Sequence, residues 1–261
     1  MPLLTTVIDL QPARTGTAVP GYPAQIAAAQ PHLASLATIY PEDCAMFVGA
    51  GRSDLASLLP LQERDAGGAR VWAALNSNTT RVALGGVLGG LPRFVLPGAT
   101  FDGLSASLDA ALTDYTVAVL ARASNITGAK WLFGVGQTGA GRLGVYFNGA
   151  NVSVQHATTD VVSTPGTVVV ANAWVPVIVS YLNAGRSVSV HVGSPVASVT
   201  GTMTTSPPSD VAAALGAVPV TGLQPLVGEL AFCALWRRAL HTDAAALARL
   251  VAAMNGMAAL T

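Results

Sequence analysis

From about residue 70 to residue 236 the chain is written in short runs of alternating apolar and polar side chains, each closed by turn-forming residues. The clearest are RFVLPG (93–98), DYTVAVLARA (114–123), KWLFGVG (130–136), RLGVYFNG (142–149), ANVSVQH (150–156), TVVVAN (167–172), WVPVIVSYL (174–182), RSVSVHVG (186–193) and ELAFCALW (229–236). A period of two puts successive side chains on opposite faces of an extended chain, and Val, Thr and aromatic residues fit a pleated surface. These runs therefore predict strands. Asn148-Gly149 between two of them is a hairpin signal, and NAGR (183–186) predicts a second tight turn. Pro176, which has no N–H for a ladder, is expected near a strand start or at an edge.

The last run behaves differently, because it is apolar on both faces. Ala231, Cys233 and Leu235 share one side of an extended chain, and Leu230, Phe232, Ala234 and Trp236 share the other, so both expect cover. The period then lengthens. Leu247, Leu250, Val251 and Met254 fall at i, i+3, i+4 and i+7, with Thr242 as N-cap, Asp243 in the first turn and Gly256 after the last apolar position. The pattern predicts an all-β sandwich or jelly roll whose last buried strand feeds a short C-terminal helix. Trp72, Trp174 and Trp236 read as core.

Residues 1–68 follow no such pattern. Prolines at 2, 12, 20, 23, 31, 41 and 60 interrupt any long element; a small-residue helix is predicted around Ala24 to Ala37, and an apolar patch covers Cys44 to Val48. This region reads as a docking arm, QERDAGGAR (62–70) as a polar hinge, and residues 69–261 as the β domain. No repeat appears at solenoid or propeller periods.

Composition adds a constraint on surroundings. Charged residues make up 10% of the chain, against about 25% in ordinary globular domains. A surface so sparsely ionised is poorly defended against association, so the expected partners are further copies of the chain and other proteins of one assembly. The 13 basic and 13 acidic residues cancel and form no long run, which argues against nucleic acid as a partner. MPLLTTVIDLQPARTG lacks a basic segment leading into an apolar one, so no signal peptide is read, and no aliphatic stretch is long enough for a membrane-spanning helix. Cys44 and Cys233 read as buried thiols, with one disulfide as the alternative.

Taken in order, four stretches resemble the laminin-G-like branch of the concanavalin A-like lectin/glucanase superfamily. They are FVLPGATFDGLSASL (94–108), LTDYTVAVLARAS (112–124), WVPVIVSYLNAGRSVSVHVG (174–193) and GELAFCALWRRALHTDAAALARLV (228–251). The resemblance implies a jelly roll with its last strand inside a sheet, and contact with a glycan or receptor as the task. Arg237 and Arg238 mark the corner where the chain leaves that sheet, as solvated residues or donors to nearby carbonyls.

Catalytic patterns are missing from the sequence. Glycoside hydrolysis needs a pair of carboxylates about 5–10 Å apart, which this superfamily carries as E-x-D-x-x-E, yet the glutamates are only Glu42, Glu63 and Glu229. His32, His156, His191 and His241 lack metal-ligand spacing, Asp102, Asp109, Asp114, Asp160 and Asp210 read as turn formers, and the glycines of GVLGG (86–90) and GVGQTGAGR (134–142) match no phosphate loop. No cofactor is expected. Sugar recognition stacks rings on aromatics and satisfies hydroxyls with amides, for which Trp131, Gln137, Tyr146, Asn148, Asn151 and His156 are the candidates. Core burial competes for Trp131 and Tyr146. The expected function is that of a non-enzymatic bacteriophage virion protein, in head or tail, assembled in the cytoplasm and displaying a lectin-like jelly roll for host glycan. A polysaccharide hydrolase or lyase and a cellular lectin-like module are the alternatives.

Overall fold

The computed structural model describes residues 31–32, 35–36, 38–49, 61–65, 68–75, 83–88, 91–136, 142–193 and 197–260. Within them the alternating runs pair into two antiparallel eight-stranded sheets. Sheet one runs β14 (Ala197–Thr202), β13 (Ser187–Val192), β12 (Trp174–Leu182), β7 (Tyr115–Ala123), β16 (Gly228–Trp236), β5 (Leu91–Leu96), β4 (Ala83–Leu88), and β1 (Cys44–Gly49) also pairs with β16. β5 takes the first residues of β16, Gly228 to Leu230, and β1 takes Phe232 to Trp236. Sheet two runs β11 (Asp160–Ser163), β10 (Asn151–His156), β9 (Leu143–Asn148), β8 (Ala129–Val135), β15 (Ala212–Leu215), β6 (Leu104–Ser107), β3 (Gly68–Ala74), β2 (Leu61–Asp65).

The two sheets face each other across one core. Val117, Val119, Val177, Val179, Cys233 and Leu235 of sheet one bury with Leu132, Phe133, Val145, Phe147, Val152 and Val154 of sheet two. A second cluster forms on the other side of sheet one, where helix α1 (Ala244–Ala258) lays Ala246, Leu250, Ala253, Met254 and Met257 on Leu120, Ile178, Phe232, Ala234 and Trp236. The strand that is apolar on both faces thus has a sheet on one side and a helix on the other. Its alternation is not strict, because a bulge between Leu230 and Phe232 turns Leu230 into the core and Ala231 toward the helix.

Several expectations need correction. Residues 167–172 form no strand: Val168 and Val169 donate to the Ala150 carbonyl at 2.8 and 2.9 Å, Asn172 has φ +65°, and Val170 is 61% exposed. The 62–70 hinge is a hairpin, β2 and β3 pairing from Leu61↔Trp72 to Asp65↔Gly68. Cys44 to Gly49, within the segment read as an arm, is woven into sheet one. Asp243 caps α1, accepting from the amides of Ala245 and Ala246 at 3.0 and 3.1 Å, while Thr242 donates to Ala239 O. The helix runs on through Gly256, where a β-carbon would overlap the His32 ring. The helix predicted over 24–37 lies largely outside the described residues.

Other expectations hold. Pro176 is the third residue of β12. Cys44 and Cys233 are buried and form no disulfide with each other. Arg237 donates to the carbonyls of Ala110 and Ala111 and pairs with Asp109 at 2.6 Å, while Arg238 pairs with Asp43 and lies 3.8 Å over the Tyr40 ring. The aspartates hold turns: Asp102 accepts from Ala99 N, Asp114 from Asn183 N, Asp210 from Ala212 N, and Asp160 from the amides of Thr204 and Thr205.

Candidate functional site

Register decides which of the six candidates share a face. Trp131 pairs with Tyr146, Tyr146 with Ser153, Ala129 with Asn148, and Asn148 with Asn151, and directly paired residues point the same way. Trp131, Tyr146, Asn148 and Asn151 therefore stand on the outer side of sheet two, facing away from the core. His156 points the other way. It lies between the sheets with its Nε2 2.7 Å from the Tyr115 hydroxyl and its Nδ1 2.9 Å from Thr205 O, its ring edge-on to Tyr181, and burial holds its pKa below the ordinary histidine range. This removes His156 from ligand contact. Gln137 lies outside the described residues.

Trp131 and Tyr146 stack at 5.6 Å with an angle of 11° between rings. The indole lies against the strands because it has glycines beneath it: a β-carbon at Gly134 would stand 2.7 Å from the ring, and one at Gly144 would overlap it. Two further side chains close around the pair. Trp131 Nε1 donates to Gln224 Oε1 at 2.8 Å, and the Arg142 guanidinium sits 5.3 Å from the ring centroid. With Val218 packed on it as well, Trp131 is 0% exposed and Tyr146 7%. Neither ring is free to receive a sugar face in this arrangement. They brace the site instead.

What they brace is the loop 216–226. Its backbone is held in unusual geometry, with positive φ at Gly216, Val220, Gly222 and Gln224; for a β-branched residue such as Val220 that conformation costs about 1–3 kcal/mol and persists only where surroundings enforce it. The enforcing contacts are Trp131 N to Gln224 O, Gly222 N to Val218 O, Val218 N to Leu223 O, and Phe101 N to Gly222 O. The loop leaves Leu223 55% and Val220 43% exposed. In the β9–β10 hairpin the turn residues are Gly149 and Ala150 rather than Asn148-Gly149, and only Gly149 of the two has positive φ. Gly149 N donates to Gly128 O, and Thr127 N to Asn125 Oδ1. Asn125, Thr127, Asn148, Leu223 and Gln224 are exposed and Asn151 is half-buried, which offers a ligand amides and a hydroxyl together with an apolar side chain. That combination suits hydroxyl-rich ligands.

The sequence did not point to Gln224, Arg142 or Val218. Only the glycines at 134 and 144, each facing the Trp131 indole, carry a signal.

No protein-family model matches this chain, and no curated protein matches it. Solved structures do match in shape. Domain 4 of AbnA, a GH43 extracellular arabinanase from Geobacillus stearothermophilus solved in complex with arabinotriose, superposes with a TM-score of 0.58 and 14% identity over 83% of this chain and 98% of that one. The HCR/D F1240A mutant gives 0.57 at 9% identity, covering 80% and 51%, and the botulinum neurotoxin type G receptor-binding domain 0.51 at 9%, covering 72% and 46%. This chain spans about half the length of the last two. At these identities the likeness is one of fold: the chain is a β-sandwich of two antiparallel sheets with a short C-terminal helix.

Proposed function

We propose that the protein is a non-enzymatic carbohydrate-binding module whose ligand sits at the sandwich end formed by residues 125–127, 148–151 and 223–224. The observation that carries this is the braced loop: a stacked Trp131–Tyr146 pair and a strained 216–226 backbone hold the exposed Leu223 and Gln224 in one fixed arrangement, with Asn125 and Asn148 exposed on the same chain. Preorganised polar groups around a small apolar surface are what a sugar needs, since each hydroxyl lost from water must find a partner. The arabinotriose bound by the AbnA domain is in keeping with such a use of the fold.

A glycan array with the wild type and an Asn148→Ala/Asn151→Ala double variant tests the reading. Binding by the wild type and its loss in a variant with unchanged thermal stability is the expected result; absence of binding by the wild type overturns it.

The particle setting, a virion protein with its N-terminal region docked, is supported by charge density. An accessible surface of 10367 Å² is shared by 13 basic and 13 acidic residues, about 400 Å² for each charge, and such a surface favours assembly with copies or partners. Light scattering over a concentration series checks it. A stable monomer at high concentration counts against this setting and leaves the carbohydrate reading standing.

A further inference from the structure

On the outer face of sheet one, beyond the stretch covered by α1, four side chains line up across four neighbouring strands. Trp174 of β12 pairs with Arg122 of β7, and Arg122 with Glu229 of β16; Arg93 of β5 reaches the same glutamate from the far side. The Arg122 guanidinium lies 5.5 Å over the Trp174 ring. Glu229 is 8% exposed, and its oxygens lie 2.9 Å from Arg93 Nε and 2.7 Å from Arg122 Nη2.

These contacts are close without being well directed. Arg93 Nε, Arg93 Nη1, Glu229 Oε2 and Trp174 Nε1 are all buried and make no aligned hydrogen bond. Buried polar groups are nearly always satisfied, and a chain with so few charges has placed three of them here, two positive and one negative, next to a tryptophan. Arg93 Nε and Glu229 Oε2 each face an ion-pair partner, at 2.9 and 2.7 Å, so the capacity without a partner lies on Arg93 Nη1 and Trp174 Nε1, donors on a guanidinium and an indole. A ligand carboxylate matches these donors, arginine being the side chain suited to it. The row spans three strand spacings, about 14 Å, more than a single sugar ring covers.

We infer that the row Trp174–Arg122–Glu229–Arg93 is a second binding site, for a carboxylate-bearing oligosaccharide of at least two units. The carboxylate preference comes from the row itself; the saccharide nature of the ligand rests on the function proposed above. Arg122, whose side chain is 24% exposed, is the point of entry. Arg93 and Trp174 close on the ligand as it supplies the acceptors they lack. Net charge at the row falls from plus one to zero when one carboxylate binds.

The test uses the full chain on an array of uronate- and sialate-bearing oligosaccharides, each beside its counterpart with the carboxyl reduced to an alcohol. The expected result is binding to carboxylate forms at least tenfold tighter than to reduced forms. Trp174→Phe, which keeps a ring and drops the indole N–H, should weaken that binding about tenfold, the worth of one hydrogen bond to a charged group, with an unchanged melting temperature. Arg93→Gln should do the same, and because it leaves Glu229 with one ion-pair partner, Trp174→Phe decides if it fails to fold. Binding without preference for the carboxylate, or carboxylate binding that survives Trp174→Phe and vanishes in Asn148→Ala/Asn151→Ala, overturns the second site and leaves the proposed function intact. No binding to any glycan overturns both.

Discussion

The outer faces of the two sheets solve the same problem in opposite ways. Each is the back of a strand layer whose front is already buried in the sandwich. Sheet one covers most of its back with its own chain: α1 places Leu250, Met254 and Met257 on Phe232, Ala234 and Trp236, and Trp236 Nε1 donates to Ile39 O at 2.8 Å. Sheet two uses one stacked aromatic pair, two glycines and a strained loop. The first arrangement spends apolar area on stability. The second fixes the exposed Leu223 and Gln224 of a loop in place, and a site for a polar ligand needs such fixed groups.

The largest expected effect tests the first half of this contrast. Trp236→Ala removes a fully buried indole from under α1, which should cost about 3–5 kcal/mol, read as a lowered denaturation midpoint in guanidinium. A loss below about 1 kcal/mol would mean that the helix cover is not what stabilises sheet one. Gly144→Ala probes the second half. Its methyl group would overlap the Trp131 ring, so the indole must move; overpacking of this kind costs about 1–3 kcal/mol, and glycan binding should fall with it because Gln224 loses its anchor. Unchanged binding would separate the brace from the site.

The smallest effect concerns the space between the faces. Burial lowers the pKa of His156, and it does the same for His191 and His241 on sheet one's side. A base whose pKa is lower folded than unfolded binds more protons in the unfolded chain. Its stabilising contribution is therefore complete above the unfolded value near 6.5 and is lost as pH falls below it, until the folded pKa is passed. Unfolding free energy should decline between pH 7.5 and pH 5. His156→Gln should flatten that decline, and a slope equal to wild type would show that His156 titrates alike in both states.

Most of the strand pattern was legible because burial on one side of a sheet leaves a period-two trace. Runs covered on both faces, 114–123, 174–182 and 229–236, were legible instead as unbroken apolar stretches between turn residues, and their strands begin within a residue of the predicted positions. What escaped were AAAL at 212–215, too short and small-residued to show alternation, ASVTGT at 197–202, whose alternation runs between small apolar and small polar residues, and the 167–172 run, whose valines look like a strand but bond to a hairpin turn. The candidate site divides in the same way. Asn148 and Asn151 were found because amides beside a turn are visible in sequence. Trp131 and Tyr146 were named for the wrong task, since alternation locates a ring on a face but does not reveal what packs on top of it.

By itself the sequence determined the layer architecture, the switch from strand to capped helix at the C-terminus, and a surface poor in charge, because each follows from local periodicity or from composition. Tertiary structure alone decided that Trp131 braces a loop contributed by residues 216–226, that a bulge turns Leu230 inward, and that Arg93, Arg122, Trp174 and Glu229 form one row. Those facts depend on register between strands up to 136 positions apart in sequence, Arg93 to Glu229, and register is set by how whole sheets pack, which no local pattern records.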